Sequence, residues 1–225
     1  MGEMQNLLVH VHPEPKSFNS ALTCMAVDTL TRAGHDVTVS DLYAMGFDPV
    51  SDRRNFTTVK NRDYYVRTDE ELHATGHGGF APEIEDELRK VETCDLMIWQ
   101  FPFWWYGLPA MLKGWVDCVF AYGRAYKSGC SHATGVFRGK RALLSLTTGA
   151  SEASYQKGAR NGDVHAMLRP MRAACSATRA LACWHRTSRS ASTTRQPSSA
   201  LRCSRLGPRG WKRSPGESLI DVGEH

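Results

Sequence analysis

The chain has 225 residues, 41% of them hydrophobic, and a formal net charge of +5, which suits one α/β domain of ordinary size with or without a tail. No apolar run is long enough to cross a bilayer, and the opening MGEMQN carries an acid and no apolar block, which argues against a signal peptide, and a cytoplasmic protein is expected. The charge is uneven: residues 171–225 hold ten basic and three acidic residues, net +7, and residues 1–170 hold 18 basic and 20 acidic, net −2.

Residues 6–11, NLLVHV, read as a short buried strand broken by the turn-forming HPEPKS. Ser17 or Asn19 caps a helix with Leu22, Met25, Ala26 and Leu30 at helical spacing, ended by Gly34. Val37–Leu42 follows as a second strand, which makes a right-handed β-α-β unit. Residues 46–80 hold few apolar residues and read as a long surface excursion. Pro82 opens a helix over Glu83–Glu92, and Asp95–Phe101 is the third strand. Pro109 starts a helix with Leu112, Trp115, Val116, Val119 and Phe120 on one face, and residues 141–148, RALLSLTT, form the fourth strand. This alternation predicts an open, doubly wound parallel sheet with helices on both faces.

After Pro170 the pattern stops. Residues 171–215 are Arg-, Ser- and Ala-rich with no Phe, Tyr, Ile or Val, and no fifth strand is expected there. A disordered basic tail, a nucleic-acid-binding arm and a reading-frame error compete. One permitted codon choice for Ala173–Ala180, begun two bases later, encodes Gly-Met-Leu-Arg-Tyr-Thr-Gly, an apolar segment suited to the missing sheet edge. The division is therefore residues 1–170 as the folded domain and 171–225 as an irregular, frameshifted and disordered tail. Arg and Ser there come without a recognisable reading module, so no nucleic-acid partner is expected.

The seven cysteines stand at irregular spacings without a CxxC pair, and Cys118, Cys130 and His132 do not match a zinc template. Reduced thiols and no metal site are expected.

In open α/β sheets ligands sit beyond the carboxyl ends of the strands, which singles out three loops. In HPEPKSFN, residues 12–19, a hydroxyl, main-chain N–H groups and a helix N-terminus form an anion site, with His12 and Lys16 adding donors; a capped turn is the alternative. Neither GxGxxG nor a P-loop is present. The aromatic run at 102–107 can make a platform for a flat ring, or cover the core. TTGASEASY, residues 147–155, puts small residues and free amides at a strand end, a nest for the negative edge of a reduced flavin or a helix-capping turn.

Together, HPEPKSFN, DLYAMGFDPV, QFPFWWYGLPAMLKGWVDCVF and LSLTTGASEASY resemble the NAD(P)H:quinone oxidoreductase family, the DT-diaphorase-like flavoproteins, over residues 5–170. Bacterial relatives known as NAD(P)H oxidoreductases or potassium-efflux ancillary proteins are equally similar. The resemblance implies a flavodoxin-like fold, a homodimer and FAD, with FMN as the other flavin. NAD(P)H would be the co-substrate and a quinone the acceptor in a ping-pong, two-electron cycle. The alternative is a flavin-binding regulatory subunit associated with a membrane potassium-efflux antiporter.

By matching position, the resemblance implies that His12, Ser17, Phe18 and Asn19 hold the FAD pyrophosphate. Pro102, Phe103, Trp104, Trp105 and Tyr106 would bed the ring, with Thr147, Thr148, Gly149 and Ala150 at its other edge. Tyr155 matches the tyrosine beside the flavin, and Tyr126 a substrate-lining one. Asn161 stands where mammalian members carry His and cannot donate a full proton. Family members continue after the stretch matching MLRP with a strand and helix that do not map onto residues 171–225, so the last strand and helix are expected to be missing or replaced and activity impaired.

Overall fold

The computed structural model describes residues 3–129, 137, 139–174, 179–186 and 218–220. Strands β1 (Gln5–His10), β2 (Asp36–Asp41), β3 (Leu96–Pro102), β4 (Arg141–Thr148), β5 (Arg179–Arg186) and β6 (Ser218–Ile220) form one sheet in the order β2-β1-β3-β4-β5-β6. The first five are parallel and β6 is antiparallel to β5. Helices α1 (Phe18–Arg32), α2 (Arg67–His77), α3 (Pro82–Thr93), α4 (Ala110–Val119) and α5 (Val164–Ala174) connect them. The order 2-1-3-4-5 is that of a flavodoxin-like doubly wound sheet, whose direction of winding reverses between β1 and β3.

Burial explains the strands. Leu7, Leu8 and Val9 in β1, and Trp99 and Phe101 in β3, are essentially inaccessible, as central parallel strands covered on both faces must be. On α4, Leu112, Trp115 and Val119 fall at i, i+3 and i+7 and are fully buried. Its Gly114 lies so close to the chain before it that an added Cβ would stand 2.2 Å from the Pro49 carbonyl oxygen.

Two expectations are corrected. The 46–80 segment is not a bare excursion: it carries a 3-10 turn at Arg53–Asn55 and helix α2, with Glu70, Glu71 and Ala74 buried. Carboxylates organise it where apolar residues are scarce. Glu70 accepts from the main-chain N–H of Lys60 (2.7 Å) and Asn61 (3.1 Å) and pairs with Arg53, while Glu71 accepts from Tyr122 N at 2.7 Å.

The second concerns the region after Pro170. Helix α5 runs through Pro170 to Ala174, so the expected boundary at 170 falls inside an element. A strand then follows: β5 pairs with β4 in eight-residue register from Arg141↔Arg179 to Thr148↔Arg186. The stretch ALACW, residues 180–184, supplies an apolar run without the β-branched residues that usually mark strands, and an open strand edge recruits extended chain through main-chain groups alone. Among the described residues no helix follows β5. Apart from β6, the rest of the expected tail, like Cys130 and His132, lies outside the described residues.

Candidate functional site

The three loops singled out above meet at the carboxyl end of the sheet, over the point where the winding reverses. A buried row of polar side chains ties them from below. His10, Gln100 and Ser145 occupy one register line across β1, β3 and β4. Ser145 Oγ donates to Gln100 Oε1 (2.6 Å), Gln100 Nε2 donates to Asn19 Oδ1 (2.9 Å), and Asn19 Nδ2 donates to Thr147 Oγ1 (2.9 Å). One network thus fixes the start of α1 against the ends of β3 and β4. Phe103 N also donates to the Thr147 carbonyl at 2.8 Å.

The first loop is a succession of tight turns. His12 Nδ1 accepts from Glu14 N (3.0 Å), Glu14 Oε1 accepts from Lys16 N (2.8 Å), and Ser17 N donates to the Glu14 carbonyl (3.0 Å). Ser17 is the N-cap of α1, its hydroxyl accepting from Ser20 N at 3.1 Å. The loop therefore delivers the open, N–H-rich end of a 15-residue helix to the cleft. Phe18 is exposed at its rim, whereas the Asn19 side chain is buried and committed to the network. What Asn19 offers a ligand is its main chain.

The second loop is strained. Trp104 and Gly107 form an isolated bridge, Gly107 N donates to the Trp104 carbonyl (3.1 Å), and the central residues Trp105 and Tyr106 both have positive φ, 49° and 60°. That is the pattern of a type I′ turn, usually filled by Asn or Gly. It holds Trp105 95% exposed, with Trp104 and Tyr106 near half. Pro102 and Phe103 are buried beneath it, so of the five residues expected in a ring bed the last three present their side chains. Trp104 lies 5.9 Å from His12, ring centroid to centroid, which closes the first two loops on each other.

The third loop leaves β4 at Thr148, whose hydroxyl donates to the Ala150 carbonyl (2.8 Å) and curls the chain, leaving Gly149 exposed. Tyr155 then tucks under the aromatic turn, 6.3 Å from both Phe103 and Tyr106. Burial, and then Tyr106, push its phenol above the ordinary tyrosine range, so it stays a proton donor at neutral pH. Asn161 folds back beside it, its N–H donating to the Ser154 carbonyl at 2.9 Å. Tyr126 has other neighbours: its ring packs on Tyr122 at 5.3 Å, within the influence of Glu71 and Arg67 of α2.

Sequence reasoning missed His10, Ser20, Thr23, Gln100 and Ser145. For the three on strands the signal was a polar residue inside an apolar run, His10 in NLLVHV, Gln100 in LMIWQF and Ser145 in LLSL, since buried polar groups need partners; Ser20 and Thr23 lie on α1 and carried no such signal.

The cleft fits a flavin by the chemistry of its donors: a capped helix N-terminus for a diphosphate, exposed ring faces for a flat heterocycle, and an exposed glycine turn for its polar edge. Comparison with known proteins agrees on the fold. Residues 4–180 match the flavodoxin-like fold family. The human ribosyldihydronicotinamide dehydrogenase [quinone] is 42% identical over 172 residues, spanning 76% of this chain and 74% of that protein. NAD(P)H dehydrogenase [quinone] 1 of Cavia porcellus is 42% identical over 166 residues, 73% of this chain and 60% of that one. The crystal structure of a candidate quinone reductase from Klebsiella pneumoniae is 33% identical, covers 85% of this chain and 78% of its own, and superposes with a TM-score of 0.77.

Proposed function

The chain belongs to the flavodoxin-like family of quinone dehydrogenases, and on that footing we propose that it is a flavin-dependent NAD(P)H:quinone oxidoreductase. The observation that carries this reading is the convergence of residues 12–19, 102–107 and 147–155, tied through Asn19 and Thr147. FAD, when bound, supplies two-electron hydride chemistry.

The chain's own groups do the rest. Ser17, His12 and the first turn of α1 hold a diphosphate, with Phe18 at the rim. Trp104, Trp105 and Tyr106 orient a ring and exclude water from one side. The main-chain amides of Thr148, Gly149 and Ala150 face developing negative charge. Tyr155 keeps its proton on the phenol oxygen as a hydrogen-bond donor, and Asn161 adds a neutral hydrogen bond without a titrating group. NAD(P)H and the quinone take turns in the same cleft, a ping-pong order. Tyr126, packed on Tyr122, meets substrate as a contribution from a second copy in a homodimer. Because β5 is followed by no helix among the described residues, cofactor retention is expected to be weak.

The test is the absorption spectrum of purified protein with added FAD, followed by NAD(P)H and then a quinone. Bleaching by NAD(P)H and recovery with quinone are expected, with parallel initial-rate lines. A colourless protein that cannot be reconstituted overturns the reading. Flavin binding without turnover, together with stoichiometric capture of the antiporter, would favour the ancillary-subunit alternative instead.

A further inference from the structure

Beneath the first loop lies a buried histidine to which no role has yet been given. His10 ends β1 and is 3% exposed. Its Nδ1 faces Thr23 Oγ1 at 2.8 Å and its Nε2 faces Ser20 Oγ at 3.2 Å, both hydroxyls on the inner side of α1. Ser20 Oγ donates to the Glu14 carbonyl at 3.0 Å.

Proton counting links the directions to one another. A serine hydroxyl has one hydrogen, and Ser20 gives it to Glu14. With that assignment His10 Nε2 carries the hydrogen toward Ser20, and the neutral ring's Nδ1 accepts from Thr23. Thr23 thus selects the tautomer, the tautomer fixes Ser20, and Ser20 holds the Glu14 carbonyl inward, where Ser17 N also reaches it. A carbonyl oxygen turned outward would face any anion at the α1 N-terminus with its negative end. Turned inward, it leaves the loop's N–H side to the ligand.

We propose that His10 is a positioning residue that shapes residues 14–17 into an anion cradle through Ser20. The proposal rests on the flavin reading above and names what holds the diphosphate end of that site in shape. The charged groups facing His10 are Asp41 at the end of β2, which favours a charged ring, and His12 on its own side, which opposes it; α1 presents the neutral Ser20 and Thr23, and β3 the neutral Gln100. Burial outweighs Asp41 and lowers the His10 pKa, which keeps the ring in the neutral form that the chain of hydrogen bonds requires.

The experiment uses the full chain. Imidazole ¹⁵N spectra without flavin are expected to show His10 as the Nε2–H tautomer, shifted toward a mixture in Thr23→Val. Binding of FAD and of inorganic pyrophosphate is then titrated calorimetrically. His10→Phe is expected to weaken both about tenfold, the size of one lost positioning hydrogen bond. His10→Gln keeps an N–H donor for Ser20 and is expected to bind within about threefold of wild type. FAD affinity of wild type should weaken on acidification through the His10 pKa, a step absent from His10→Gln. An Nδ1–H tautomer, wild-type affinity in His10→Phe, or equal losses in Phe and Gln variants that melt like wild type would each overturn the proposal. If wild type binds no FAD, the functional reading falls while the tautomer and the pyrophosphate titration still decide this one; failure to bind pyrophosphate as well overturns the cradle.

Discussion

The side-chain amide of Asn19, in the first turn of α1, donates to Thr147 Oγ1 near the end of β4 at 2.9 Å, although the two lie 128 residues apart. The same side chain accepts from Gln100 on β3, so one buried amide sets the spacing of all three strand-end loops. Asn19→Ala would leave Gln100 Nε2 and Thr147 Oγ1 each short of a partner in a site with no solvent. A loss of about 1–3 kcal/mol in urea denaturation is expected, together with weaker flavin binding. Wild-type stability in this variant would show that the loops are held by something else.

Trp105 is nearly all in solvent yet sits at φ 49°, a conformation that costs a residue with a Cβ roughly 1–2 kcal/mol. Its folding contribution is therefore negative, and only a ligand that uses the ring gives a return. Trp105→Gly should remain folded and gain about 0.5 kcal/mol, the relief net of glycine's extra unfolded-state entropy. Flavin affinity should fall at least about tenfold, as for a lost aromatic anchor. Thermal melts and flavin titration must move in opposite directions; movement in the same direction sinks the argument.

Gly114 illustrates close approach. A methyl group there would press on the Pro49 main chain at 2.2 Å, which cannot swing aside as a side-chain tip would. Gly114→Ala should destabilise by about 1–3 kcal/mol despite alanine's better helix propensity. Chemical denaturation reads this directly, and a stabilised variant would mean that the 46–50 segment yields at little cost.

Cys118 is buried and its thiol is pushed up to about 12, first by burial and then by Asp117. The thiolate is the reactive form, so iodoacetamide at pH 8 should leave Cys118 unmodified in the native protein while exposed Cys24 is alkylated. Peptide mass spectrometry separates the two. Labelling of Cys118 at the rate of Cys24 would show that α4 opens readily.

Much of this was legible in the sequence because periodicity and turn chemistry are local. Strand β4 follows the apolar run RALLSLTT to the residue, and the Ser17 cap and the Pro before α4 mark helix starts. What escaped was non-local. Helix α2 is stabilised by Glu70 and Glu71 reaching main-chain donors 9 to 51 residues away, and no hydropathy pattern encodes that. Strand β5 forms where β4 offers unpaired main-chain groups, a demand set by the sheet rather than by residues 179–186. The three loops could be chosen from strand ends, but the Asn19–Gln100–Ser145 line joining them needed the register.

Glu71 gives the last prediction. It is buried at 2% exposure, and burial raises its carboxyl pKa against the opposing pull of the Tyr122 N–H and Arg67. The folded chain then holds this proton more tightly than the unfolded chain does. The resulting stability is fully present below the unfolded value of 4.5 and is lost as pH rises through the folded pKa. At neutral pH the ionised carboxylate is a desolvated charge, only partly offset by Arg67 at 3.5 Å, whose side chain is 37% exposed. Glu71→Gln keeps an oxygen for the Tyr122 N–H and removes that charge. It should melt roughly 2–4 °C above wild type at pH 7.5, with the gap closing toward pH 4.5. A Glu71→Gln protein that melts lower at pH 7.5 would show that the ion pair with Arg67 outweighs the burial of the carboxylate.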